Sequence, residues 1–138
     1  MNVKQKMLVA FVLLTLLPVA VGAKPRTTAD MKKTAARAIN LQTTLSAYKT
    51  GKRTSSGTRS TEQLRELKHT KAYSIYGYKQ GGFAIISADD LVPELLGVSE
   101  TDYTQSDNPG FNWWLKAIDE VITKAVKSNT PLNVIKPD

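Results

Sequence analysis

The stretch "GGFAIISADDLVPELLG", residues 81–97, decides how this chain folds. Its two glycines open a short run rich in β-formers, which predicts a strand entered from a tight turn, because glycine readily adopts positive φ. The strand ends at the adjacent carboxylates Asp89 and Asp90. Neighbouring side chains on a strand point to opposite faces, so this pair would not converge as a general acid and base must. We expect a turn instead, in which one Asp accepts hydrogen bonds from local backbone N–H groups.

A second strand precedes the glycines and is expected to pair with the first as a hairpin. The segment "AYSIYGY" is rich in aromatic and β-branched residues, and it places Tyr73 and Ile75 on one face of the strand. Tyr76 and Tyr78 fall on the other face, where we expect them to be exposed. No helix is predicted directly after the glycines, so a phosphate-binding loop is a poorer explanation of them than a turn. The turn consists of Lys79, Gln80, Gly81 and Gly82.

One further strand and a helix flank this hairpin. The strand is predicted from Leu95 to Val98, past Pro93, whose missing N–H favours a strand start or an edge. The helix is predicted from about Ala29 to Ala47, with Thr28 as its N-cap and Asp30 at the positive end of its dipole. Its apolar stripe is thin, because much of it is alanine. The stripe consists of Met31, Ala35, Ala38, Ile39 and Leu45.

A second helix is predicted near the C-terminal end of the sequence. Asn108 can cap it and Pro109 suits the first helical position. Trp113 points away from the apolar stripe, so it either packs under a neighbouring loop or contacts a partner. Apolar residues recur at helical spacing along the rest of it, at Trp114, Leu115, Ile118, Val121, Ile122 and Ala125.

The segment "YKTGKRTSSGTRS", residues 48–60, predicts a flexible basic loop. It has four cations, no acid and no large aliphatic side chain, so it cannot bury enough apolar area to offset its ordering entropy. It is either an ordinary solvated connection or a loop used for docking or open to proteolysis. Charge is also distributed unevenly along the chain. Residues 24–79 carry thirteen basic and three acidic side chains, whereas residues 80–138 carry four basic and nine acidic side chains.

Residues 1–23 have the pattern of a secretory signal peptide. Lys4 and Lys6 precede a mostly apolar run from Met7 to Leu17, and small residues before Lys24 suit a cleavage site. The apolar run is shorter than the roughly 20 residues that a membrane span needs, although an uncleaved N-terminal anchor is the alternative. We therefore expect an exported protein, periplasmic or extracellular, with residues 24–138 forming one domain and no stable membrane insertion after cleavage.

Composition leaves little room for catalysis. The chain has no cysteine and a single histidine, His69, which excludes a thiol nucleophile and a histidine metal cluster. No phosphate loop or cofactor motif is visible, so we predict no enzyme, no metal and no cofactor. The cations are not interleaved with stacking aromatics, which argues against nucleic acid as a partner. A weak, salt-sensitive attraction to acidic surfaces stays open.

The order of these segments resembles the prodomain of streptopain-like secreted cysteine proteases and the related stand-alone inhibitors of those proteases. The similar stretches are "YSIYGYKQGGFAIISADDLVPELLGVSETDY" and "NPGFNWWLKAIDEVI", within about Tyr73 to Ile122. The chain departs from the family at Ala88, where glycine is usual, and at Gly77 or Tyr76, where Asn is common. The matching motif residues are Gly81, Gly82, Phe83, Ile85, Ile86, Ser87, Asp89, Asp90, Pro93, Leu95, Leu96 and Gly97.

This resemblance implies a small α+β domain, with helices packed on an antiparallel sheet, that binds a streptopain-like cysteine protease. The domain would occlude the active-site cleft and would be a monomer when free. Two alternatives stay open, namely a separated prodomain that acts as a folding template and an exported binding module for acidic surfaces. The expected protease contacts are Tyr76, Tyr78, Lys79, Gln80, Gly81, Gly82 and Trp113.

Overall fold

A four-stranded antiparallel sheet lies between two helices, in the part of the 138-residue chain that the computed structural model describes, residues 24–51, 59–104 and 108–132. This arrangement confirms the predicted α+β class. No helix within those ranges is both long and apolar enough to span a bilayer. The elements in chain order are α1 (Thr28–Thr50), a 3-10 turn (Thr61–Gln63), β1 (Arg65–His69), β2 (Tyr73–Gly77), β3 (Phe83–Ser87), β4 (Leu95–Ser99) and α2 (Pro109–Lys127).

The strands follow one another across the sheet in the order β1-β2-β3-β4, so each connection joins neighbours. The predicted hairpin is confirmed: Tyr73 pairs with Ser87 at one end of β2 and β3, and Gly77 pairs with Phe83 at the other. The third predicted strand is confirmed as β4. Strand β1 was not predicted, because "RELKH" is polar and four of its five residues are exposed at this edge of the sheet.

Each face of the sheet is covered by one helix. Tyr76 and Tyr78 lie in a buried cluster with α1, whereas Tyr73 and Ile75 lie in a second cluster with α2. The two predicted faces of β2 are therefore correct. Because both faces are covered, all five residues of β2 and all five of β3 are buried.

Helix α1 begins one residue earlier than predicted and extends further. Thr27, not Thr28, is the N-cap, and its hydroxyl oxygen accepts a hydrogen bond from the Asp30 N–H at 3.2 Å. The helix ends where Gly51 adopts a φ of 67°. The predicted loop over residues 48–60 is thus wrong for its first three residues, which are helical, while residues 52–58 lie outside the described ranges. Leu45 is also wrong as a core residue, because it is 48% exposed.

Helix α2 confirms its predicted start. The Asn108 side-chain oxygen accepts a hydrogen bond from the Phe111 N–H at 3.1 Å, and Pro109 occupies the first turn. Val121 was predicted in the apolar stripe but is 52% exposed. The buried residues of this helix are Leu115, Ile122 and Ala125.

The hairpin turn packs so closely on α1 that Gly82→Ala should destabilise the fold. A Cβ at Gly82 would lie 2.7 Å from Cγ2 of Ile39, and the φ there is +95°. We expect the free energy of unfolding to fall by about 2–5 kcal/mol, from backbone strain and overpacking together. Gly51→Ala is the matched control, since its φ is +67° but no atom lies within 4 Å of the new Cβ.

The control should cost about 1–2 kcal/mol, from the backbone alone. Urea unfolding of the two variants and the parent measures the difference. Equal losses in the two variants would contradict the close packing of the turn against Ile39.

Candidate functional site

The turn between β2 and β3 is closed by two backbone hydrogen bonds, both of which involve Tyr78. The Tyr78 N–H donates to the Gly82 carbonyl at 3.1 Å, and the Gly81 N–H donates to the Tyr78 carbonyl at 3.1 Å. Gly81 and Gly82 have φ values of 106° and 95°, a region that favours glycine over other residues. The turn therefore presents the exposed side chains of Lys79 and Gln80 at its tip.

Arg59 fixes this turn from the side of α1. Its Nη1 donates to the Gly81 carbonyl at 2.9 Å, and its guanidinium lies 4.2 Å from the centre of the Tyr78 ring. The Tyr78 hydroxyl donates to the Arg59 carbonyl at 3.2 Å. The side-chain amide of Asn40, on α1, bonds both backbone groups of Arg59. Its nitrogen donates to the Arg59 carbonyl at 3.0 Å, and its oxygen accepts from the Arg59 N–H at 3.3 Å. Sequence reasoning missed this residue, because composition alone placed it in a flexible loop.

The segment after β4 borders the other side of the turn. The Gly82 N–H donates to the Thr101 carbonyl at 3.3 Å, so the turn is attached to the segment after β4 as well as to α1. The Glu100 side chain accepts hydrogen bonds from Ser46 and Gln42 of α1. A shallow surface depression results, lined by Thr43, Arg59, Gln80, Gly81 and Glu100.

Tyr76 and Tyr78 are not exposed, which corrects the expectation from the sequence. Their exposed fractions are 1% and 5%, because α1 covers the face of the sheet from which they project. Burial raises the pKa of both phenols above the usual value near 10. The two tyrosines therefore support the turn from inside the fold. Gly82 is also buried, and Gly81 is half-buried.

Trp113 lies off the apolar stripe of α2 and is 71% exposed, so of the two alternatives for this residue, packing under a neighbouring loop is not what the structure has. The neighbouring Trp114 is half-buried and stacks on Phe111, with ring centres 6.1 Å apart. Phe111 in turn lies 6.0 Å from Phe83, the first residue of β3. The first turn of α2, which precedes Trp113, is thus anchored next to the strand that leaves the hairpin turn.

Asp89 and Asp90 do not converge on a shared site. Asp89 is buried and its Oδ1 accepts a hydrogen bond from the Leu91 N–H at 3.0 Å, which confirms the predicted turn. Asp90 is exposed and its Oδ1 accepts from the Lys24 N–H at 2.8 Å. Over the described ranges, no group of three or more His, Cys, Asp or Glu side chains could hold a metal ion.

Comparison with known proteins identifies what this fold is similar to. Residues 23–122 match the model of a family described as Spi protease inhibitor. A solved mutant fragment of prointerpain A from Prevotella intermedia matches with 74% sequence identity and a TM-score of 0.51. That match covers 55% of this chain and 24% of the solved chain, so this chain spans about a quarter of the solved chain's length. No curated protein matches. The two matches confirm the family resemblance seen in the sequence.

The buried tyrosines should make the fold sensitive to alkali. A raised phenol pKa means that the folded chain favours the neutral form, so this stabilisation is complete below about pH 10 and is lost as the pH rises further. For Tyr76→Phe we expect the loss of unfolding free energy above pH 10 to be shallower by up to about 1.4 kcal/mol per pH unit.

Urea unfolding at pH 9.5, 10.5 and 11 measures this slope. Tyr48→Phe is the matched control for loss of a phenol hydroxyl, because Tyr48 is 87% exposed. A Tyr76→Phe chain with the parent's slope would rule out this contribution from Tyr76.

The two adjacent tryptophans should differ sharply in their contribution to stability. Trp114→Ala removes a ring packed on Phe111 and should lower the free energy of unfolding by about 2–4 kcal/mol. Trp113→Ala removes an exposed ring and should change it by less than about 0.5 kcal/mol. Thermal unfolding of both variants, monitored by far-UV circular dichroism, distinguishes them. A large loss for Trp113→Ala would show that Trp113 packs within the fold.

Proposed function

The chain belongs to the Spi protease inhibitor family, and from this premise we propose that it inhibits a streptopain-like cysteine protease by occluding the active-site cleft. A protease-inhibitory or prodomain role follows from the family and from the similarity to prointerpain A, and such a role is not enzymatic. The streptopain-like target and the occlusion of its cleft are what we propose beyond that role. The family match over residues 23–122 is the observation that carries it.

The hairpin turn is the element that we assign to the cleft. Lys79 and Gln80 project from it, whereas Gly81 and Gly82 set its backbone shape. Arg59, bonded to the Gly81 carbonyl, fixes its position before any partner arrives. A turn that is already ordered loses little conformational entropy on binding, which favours a tight and lasting complex.

Trp113 is assigned as a second contact. An aromatic side chain that is 71% exposed on an anchored helix offers a large apolar area to a partner. Tryptophan is among the residues most enriched where interfaces carry most of their binding energy. Its position on α2, whose start packs near Phe83 at the base of the turn, supports a surface that includes both elements.

Export would bring the inhibitor to the compartment in which a secreted protease acts. The signal-peptide pattern of residues 1–23 supports an exported protein, either periplasmic or extracellular. The excess of cations in residues 24–79 would steer the encounter with an acidic partner surface. Because such steering is screened by ions, association should slow as salt increases.

Inhibition by residues 24–138, which include every described element, tests the proposal. The chain is titrated against a purified streptopain-like cysteine protease, with a small fluorogenic substrate, at two salt concentrations. We expect stoichiometric and lasting inhibition. Lys79→Ala combined with Gln80→Ala, and separately Trp113→Ala, should each weaken inhibition by about tenfold or more, the effect of losing a central contact.

The matched controls are Lys71→Ala, an exposed lysine in the turn at the opposite end of β2, and Tyr48→Ala, an exposed aromatic on α1. Both should inhibit as the parent does. A folded chain that leaves the protease fully active would overturn the inhibitor proposal.

A folding template for a separately encoded protease is the second candidate, and the 74% identity to part of a pro-form favours it. In that case the chain would raise the yield of active protease when denatured protease is refolded in its presence. Recovery of activity on refolding, without inhibition of the native protease, would identify this function.

A further inference from the structure

The first described residues pair with the segment that follows β3. The Lys24 backbone nitrogen donates to Oδ1 of Asp90 at 2.8 Å, and the Asp90 N–H donates back to the Lys24 carbonyl at 3.1 Å. Pro25 and Asp89 form an antiparallel bridge. The Arg26 N–H then donates to the Ala88 carbonyl at 2.8 Å. These contacts form a short ladder just before α1.

The Arg26 side chain binds this ladder to the segment that follows β3. Its Nη1 donates to the Asp89 carbonyl, and its Nη2 donates to the Val92 carbonyl at 2.9 Å. The guanidinium is part-buried, and two of its N–H groups are satisfied by these carbonyls, so more than one hydrogen bond sets its position. The ladder thus has a fixed position, and with it the backbone nitrogen of Lys24.

The same nitrogen lies at the predicted end of the export signal. Hydrolysis of the bond between Ala23 and Lys24 consumes one water, leaving a carboxylate on Ala23 and an α-amino group on Lys24. An α-amino group has a pKa near 7.7–8.0 and is therefore mostly protonated at neutral pH. Cleavage converts a neutral amide, already bonded to the Asp90 carboxylate, into a cation at that position.

We infer that Asp90 is the binding site for the α-ammonium group that cleavage creates at Lys24, and that this ion pair latches the start of the exported chain. The hydrogen bond becomes one between two charged groups, which is stronger than one from a neutral amide. The neighbouring charges are otherwise engaged: the Asp89 carboxylate accepts from the Leu91 N–H, and the Arg26 guanidinium binds carbonyl oxygens. The start of the chain is therefore held more tightly once the export signal is removed.

This inference rests on the predicted cleavage site and is independent of the proposed protease target. The pair is exposed, so its effect is modest, about two- to fivefold in the equilibrium constant for local opening. Amide hydrogen exchange at Arg26 reports that opening directly, because its N–H closes the ladder against Ala88.

The test compares four forms of residues 24–138. The Lys24 α-amine is either free or acetylated, and position 90 is either Asp or, in Asp90→Asn, neutral. With Asp90 present, we expect the free amine to slow exchange of the Arg26 amide about two- to fivefold relative to the acetylated chain. With Asp90→Asn, the free and acetylated chains should exchange alike, once corrected for intrinsic rates.

Two further chains serve as controls. Lys24→Ser keeps an α-amine and should retain the full effect, since the side chain of Lys24 is not the proposed cation. Glu120→Gln removes an exposed acid on α2 and should also retain it. The ratio of the Arg26 exchange rate in the free chain to that in the acetylated chain is compared between the parent and Asp90→Asn. If this ratio is the same in both, the inference is overturned. Mass spectrometry of the exported protein showing an N-terminus other than Lys24 would also overturn it.

Discussion

Burial of the β2–β3 hairpin on both faces is the constraint on which the rest of this structure depends. Strands that are buried throughout must direct apolar side chains to two sides, and one helix must lie on each side to exclude water. A buried tyrosine also needs a partner for its hydroxyl, and Tyr78 finds it in the Arg59 carbonyl. The hairpin therefore fixes the helices and the segment before β1, and only its turn projects out of the layers.

Local patterns were sufficient to predict the hairpin, β4 and the start of α2, because turn glycines, β-branched runs and a helix cap act over a few residues. Local patterns could not show whether one face or both faces of β2 are covered. The apolar stripe of α1 is thin, yet Ala35 and Ile39 are fully buried in the cluster that covers Tyr76. Small side chains at this interface give only a weak hydrophobic pattern in the sequence, but they let the helix approach the sheet closely.

The elements that were missed depend on partners distant in sequence. Strand β1 is a strand because it pairs with β2, although its own residues are polar and mostly exposed. Arg59 lies 19 residues from Asn40 in one direction and 19 from Tyr78 in the other, and it contacts both. Composition describes only the neighbours along the chain, so it predicts mobility for a residue that tertiary contacts hold in place.

Arg26 and Arg59 show that part of the positive charge in the first half of the chain has a structural role. Arg59 binds the Gly81 carbonyl at the turn end of the hairpin, and Arg26 binds the Asp89 and Val92 carbonyls near the other end. A guanidinium suits this task because it remains charged and offers several donors in a rigid plane. Part of the positive excess therefore holds the frame of the domain through hydrogen bonds to backbone carbonyls. The side chains of Lys79 and Gln80 take no part in these bonds and stay exposed at the turn, because the frame is held by backbone carbonyls and by the two arginines.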